Sequence, residues 1–170
     1  SDIAFYFGDT SGVCNEPDGD GPCTQNSDCC GGEFCAFENP VNNTKQGDGT
    51  CKAVMAFSPE TKNMSDGQTW THSTVPMTWW SGRNWCEALG KSPTSRTDLG
   101  CRGVAPLNTC SSPTGMAIRE KFENHYWHWL EAGGADSAYV IFFPYSPYPR
   151  IGGDGRAVRH GGYDFVALCH

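Results

Sequence analysis

Absences set the first limits on this chain. Its 170 residues hold no CxxC pair, no apolar run of bilayer-spanning length, and no stripe of lysine and arginine. Structural zinc sites are commonly built from CxxC pairs, and a membrane helix needs about 20 consecutive apolar residues. Nucleic-acid binders carry a basic face. Neither membrane insertion nor a nucleic-acid partner is therefore expected. Charge is sparse at 18% while aromatics reach 12%, the reverse of a disordered polyelectrolyte. The chain opens at Ser1 without a methionine, which leaves room for a signal peptide or anchor upstream.

What is abundant is cysteine, ten in all. A reducing cytosol disfavours that density unless the thiols bind metal or do redox work. The even count suits five bridges, so a secreted or cell-surface protein in an oxidising compartment is expected. Charge is unevenly spread. Residues 1–53 hold nine Asp or Glu against Lys45 and Lys52, whereas residues 54–170 hold ten acidic and ten basic residues. This break divides the chain into a disulfide-rich segment 1–53, a linker 54–65 and a larger domain 66–170. The acidic residues of the first segment read as solvated loops between bridges rather than a calcium site.

In the first segment the cysteines fall at 14, 23, 29, 30, 35 and 51, with gaps of eight, five, zero, four and fifteen residues. Spacing alone permits fifteen pairings. Adjacent Cys29 and Cys30 are poorly placed to bond each other, so each must reach a different partner. The pattern, with its central DCC, resembles the inhibitor cystine knot of knottins over residues 14–51. That resemblance implies the bridges Cys14–Cys30, Cys23–Cys35 and Cys29–Cys51. The knot reads as a rigid accessory knob in which bridges replace a core. The flanking runs IAFYF and AVMAF have strand composition and could pair as a hairpin stem. SPETKNMSDG reads as loop.

In the larger domain, Trp79, Gly82, Cys86 and Leu89 recur at three, four and three residues within MTWWSGRNWCEALGK, one face of an amphipathic helix. Thr78 is a candidate N-cap and Gly90 a C-terminal glycine. A second helix is expected from Ser112, with Pro113 at its first position. YWHWL, SAYVIFF, GRAVRH and YDFVALCH read as short strands. Two helices followed by an antiparallel sheet make an α+β domain.

This half resembles the bacterial C-type lectin-like domain over residues 66–170. MTWWSGRNWCEALGK with SRTDLGC is similar to that family's first helix. YWHWLE sits at its second-helix-to-strand motif, and YDFVALC resembles its last strand. The resemblance implies a bridge from Cys86 to Cys169; Cys101 and Cys110 would then close a local loop, a departure from the family's usual second bridge. The EPN or QPD and WND triplets of the family's calcium-dependent sugar site are absent from residues 66–170, so neither calcium nor any other cofactor is expected.

His125 and His128 have metal-ligand spacing on a helix, but YWHWL reads as a helix-to-strand junction and no carboxylate or cysteine completes a zinc site. No nucleophile elbow or phosphate loop occurs, so an enzyme is not expected. The candidate ligand-binding surface is the stretch from Phe142 to Phe165. It combines Tyr145, Tyr148, Arg150, Asp154, Arg156, Arg159, His160 and Tyr163, a mixture of rigid aromatics and arginine donors typical of paratopes. Three readings follow. The first is a bacterial surface recognition or adhesion module that binds a protein or glycan on another cell or surface without calcium. The second is a knottin-type inhibitor or toxin on a lectin-like carrier. The third is a pilin-like structural subunit, freed of its N-terminal helix, whose partners are those of a surface appendage.

Overall fold

The computed structural model describes residues 21–39, 47–63, 67–95, 97–98, 127–132, 137–142, 150–151, 158–159 and 165–170. Two sheets and one helix make this part of the chain α+β. The second expected helix, from Ser112, and the run IAFYF lie outside the described residues.

The cysteine-rich segment forms a three-stranded antiparallel sheet of β1 (Pro22–Cys23), β2 (Glu33–Ala36) and β3 (Gly49–Ala53), in the order β1-β3-β2. Cys35 stands opposite Cys51 in the β2–β3 ladder. The bridges Cys23–Cys35 and Cys29–Cys51 fasten the sheet, and both are pairings that the knottin resemblance implies. Cys30 is also disulfide-bonded, to a partner outside the described residues; the expected bridges of Cys14, Cys101 and Cys110 lie outside the described residues. Gly49 has no room for a side chain. A Cβ there would sit 2.4 Å from the Cys23 carbonyl oxygen and 2.5 Å from Cys35 Sγ.

The remaining strands are β4 (Glu60–Asn63), β5 (Thr69–His72), β6 (Trp127–Ala132), β7 (Ser137–Phe142), β8 (Arg150–Ile151), β9 (Val158–Arg159) and β10 (Val166–Cys169). They form one sheet in the order β4-β5-β10-β6-β7-β8, with β9 also paired to β7. The ladders are antiparallel except for β10 against β6, which is parallel.

Two local expectations change here. AVMAF is not a strand: β3 ends at Ala53, and Val54–Phe57 is a 3-10 turn that buries Val54. Nor is SPETKNMSDG all loop, because Glu60–Asn63 within it pairs with β5. The sequence ETKN carries no apolar alternation, since an edge strand can be held by backbone bonds and polar cross-strand pairs. Thr61 Oγ1 and Thr71 Oγ1 supply one such pair at 2.8 Å.

The helix α1 (Trp79–Ala88) begins at Thr78, whose hydroxyl accepts from the Ser81 amide. It ends in a full Schellman motif. Gly90 lies at φ 73°, its amide donates to the Glu87 carbonyl, and the Lys91 amide donates to that of Cys86. The helix is not amphipathic in the expected sense, because only Arg83 and Glu87 escape full burial along it. One side packs on β10, where Gly82 comes so close that an added Cβ would touch Ala167 at 3.4 Å. The other side packs on β2.

That second side is polar in sequence: Thr78, Ser81 and Asn84, three residues apart. The trio serves the strand edge of β2 that faces away from β3. The Phe37 amide donates to Ser81 Oγ at 2.8 Å, Asn84 Nδ2 donates to the Cys35 carbonyl at 2.9 Å, and Thr78 Oγ1 donates to the Phe37 carbonyl at 2.9 Å. An exposed strand edge is thereby covered. Phe34, Ala36 and Val54 share one buried cluster with Met77, Trp85, Cys86, Ala167 and Cys169. The knot-like sheet thus contributes directly to the core. The Cys86–Cys169 bridge, implied by the lectin-like resemblance, ties α1 to β10 within that cluster.

Candidate functional site

The expected Tyr/Arg surface meets the described fold at two points. Arg150 lies in β8 with Phe142 as its partner across the ladder, and Arg159 lies in β9 opposite Ser137. Both short strands pair with β7, on the edge turned away from β6. Phe142 and Ser137 are the two ends of β7, so the arginines' backbones stand roughly 17 Å apart at about 3.4 Å per residue. Tyr145, Tyr148, Asp154, Arg156, His160 and Tyr163 lie outside the described residues. The segment that carries all eight residues is therefore hung from one sheet edge at two fixed positions.

A second constellation was not visible in the sequence. His72 ends β5 and pairs with Leu168; His128 lies in β6 and pairs with Val166. Strand β10 brings them onto one face of the sheet, with ring centroids 5.6 Å apart. Both imidazoles are buried, at 1% and 0% exposure. His125, its candidate partner for a metal, lies outside the described residues. Glu60, across the ladder from His72, brings Oε2 to 3.4 Å from Nε2 and also pairs with Lys62. Burial pushes the His72 pKa down, against the pull of Glu60. Lys62, by its hydrogen bond, holds Glu60 below the usual carboxylate range. No motif could announce this group, because its members meet only through long-range pairing.

The third feature is a cavity of about 440 Å³ on the cysteine-rich sheet, lined by Pro22, Cys23, Thr24, Asp28, Phe37, Gly47, Asp48 and Gly49. Asp28 Oδ2 accepts from the Thr24 amide at 2.8 Å, the Thr24 hydroxyl at 3.0 Å and the Gln25 amide. The Thr24 amide bond leads in lowering its pKa. Nearby, the Sγ atoms of Cys23, Cys29 and Cys51 lie within 4.8 Å of one another, a spacing that could hold a metal. All three are oxidised in bridges, so none offers the thiolate a metal requires.

No protein-family model, curated protein or solved structure matches this chain.

Proposed function

We propose that the chain is an exported recognition module of the C-type lectin-like kind, which binds a protein or glycan without calcium through the surface carried by residues 145–163. The observation that carries this reading is the pinning of that segment to β7 at Arg150–Ile151 and Val158–Arg159. Binding loops work best on a rigid scaffold. Here the scaffold is a sheet whose central strand is bridged to α1 by Cys86–Cys169. The lectin-like assignment draws its support from that same bridge. An oxidising exterior suits the disulfides, and among the described residues no helix is long and apolar enough to cross a membrane.

The test is a glycan array and a panel of cell-surface proteins probed in the presence of EDTA. Binding should persist under chelation. Tyr148→Ala and Arg150→Ala should each weaken it by about 1–3 kcal/mol if they are hot spots. Binding that both variants retain at full strength, or that disappears with EDTA, would refute the reading.

A further inference from the structure

The cavity on the cysteine-rich sheet has the makings of a separate binding site. Its shape is set by covalent and backbone constraints. Cys23 forms part of one wall and is fixed by its bridge to Cys35, and the Gly49 backbone lies against that bridge too closely for any side chain. At φ 77°, Gly47 holds a left-handed backbone conformation that favours glycine. Neither glycine can fill the space from the rim. Pro22, Phe37 and Cys23 give it an apolar lining.

Among the described residues, the charge on its rim is all of one sign. Asp28 is held in its ionised form by hydrogen bonds from Thr24 and Gln25, so its negative charge stays at the rim. Asp48 is exposed and makes neither hydrogen bond nor ion pair among the described residues. No lysine or arginine is among the described lining residues, and residues 1–53 carry nine acidic against two basic side chains. A site whose lining combines apolar groups with the carboxylates of Asp28 and Asp48 matches a side chain with an apolar stem and a cationic head. Arginine fits best, because its guanidinium is always charged, is more weakly hydrated than an ammonium, and offers five donors on a planar fork suited to carboxylates. At about 440 Å³ the space falls in the range of ligand pockets and exceeds a single side chain.

We propose that this cavity takes an arginine, with its flanking backbone, from a loop of a partner protein. The site is independent of the Tyr/Arg surface and would remain if that surface had no ligand. The experiment titrates the ¹⁵N-labelled full chain with N-acetyl-arginine amide and, in parallel, with its uncharged citrulline analogue. The amides of Thr24, Gly47 and Gly49 should shift with arginine at millimolar concentration and stay in place with citrulline. Asp48→Asn should weaken the response about fivefold, the scale of one partly exposed ion pair. Raising salt from about 0.1 M to about 1 M, which shortens the screening length from about 10 Å to about 3 Å, should weaken it likewise. Tyr148→Ala and Arg150→Ala should leave the titration unchanged. Equal shifts with citrulline, no shift at those amides, or an undiminished response in Asp48→Asn would each overturn the proposal. Asp48 bears no structural bond, so its substitution does not put folding at stake.

Discussion

Gly49→Ala and Gly82→Ala add the same methyl group to the same chain, and the two should move stability in opposite directions. At Gly49 the new Cβ would lie 2.4 Å from a backbone oxygen of Cys23, with Sγ of Cys35 at 2.5 Å and Sγ of Cys23 at 2.9 Å. None of these is the free end of a flexible side chain. Two belong to a disulfide and the third to the paired strand β1, so relief requires separating β1 from β3 or displacing the bridge. Overpacking of a tight site costs about 1–3 kcal/mol, and a rigid obstacle places this case at about 3 kcal/mol. At Gly82 the nearest atoms would be Ala167 Cβ at 3.4 Å, Trp129 Cδ1 at 3.7 Å and Met77 Sδ at 3.8 Å, ordinary contact distances. Alanine there gains about 1 kcal/mol of helix propensity. For a chain of this size each kcal/mol moves Tm by about 2–4 °C. Calorimetry of the oxidised proteins should therefore show Gly49→Ala melting roughly 6–12 °C lower and Gly82→Ala about 2–4 °C higher. A Gly49→Ala protein with unchanged Tm and intact bridges would mean that β1 does not lie against β3 as described.

Acid should weaken the fold in two stages. His72 has its pKa lowered from 6.5 by burial, so the unfolded chain takes up this proton first; stability is complete above pH 6.5 and falls below it, by at most about 1.4 kcal/mol per pH unit. Glu60, also lowered, from 4.5, adds a smaller loss at lower pH because it is largely exposed. Denaturant titrations from pH 7 to 5 should show a slope that His72→Leu reduces; an identical slope in that variant would remove His72 as the cause. Replacing Cys86 and Cys169 with alanine opens a closure of 83 residues, worth about 4.5 kcal/mol by chain entropy, and urea unfolding of the double variant should show a loss of that order. Asn84→Ala strips the Cys35 carbonyl of its α1 donor and should cost about 1–3 kcal/mol; a change under 0.5 kcal/mol would mean that water replaces it freely. Millimolar calcium against EDTA should leave Tm unmoved, whereas a ligand at a hundred times its Kd would add about 2.7 kcal/mol.

The parts of this structure legible in the sequence are those with local causes. Thr78 and Gly90 mark the two ends of α1 because capping and left-handed turns depend on residues a few positions apart. The strands in YWHWL, SAYVIFF and YDFVALCH announce themselves by apolar and β-branched content. The role of Thr78, Ser81 and Asn84 was hidden, because spacing cannot tell a polar stripe facing water from one facing an uncovered strand edge. Glu60–Asn63 was missed for the converse reason: a strand at a sheet edge needs no apolar residues. The His72–His128 pair depends on β10 entering between β5 and β6, which no local pattern encodes. Of the expected Tyr/Arg surface, the positions of Arg150 and Arg159 on the edge of β7 are the part now tied to the fold.

The place of β10 also bears on when this protein can fold. The strand joins residue 168 to residue 72 on one side and residue 166 to residue 128 on the other. Until it has left the ribosome, β5 and β6 have no neighbour between them, and Cys86 has no partner with which to lock the helix. Contacts so distant along the chain form slowly. Until β10 enters, the larger sheet stays open between β5 and β6. That sheet closes and is locked to α1 only once β10 and an oxidant are both at hand.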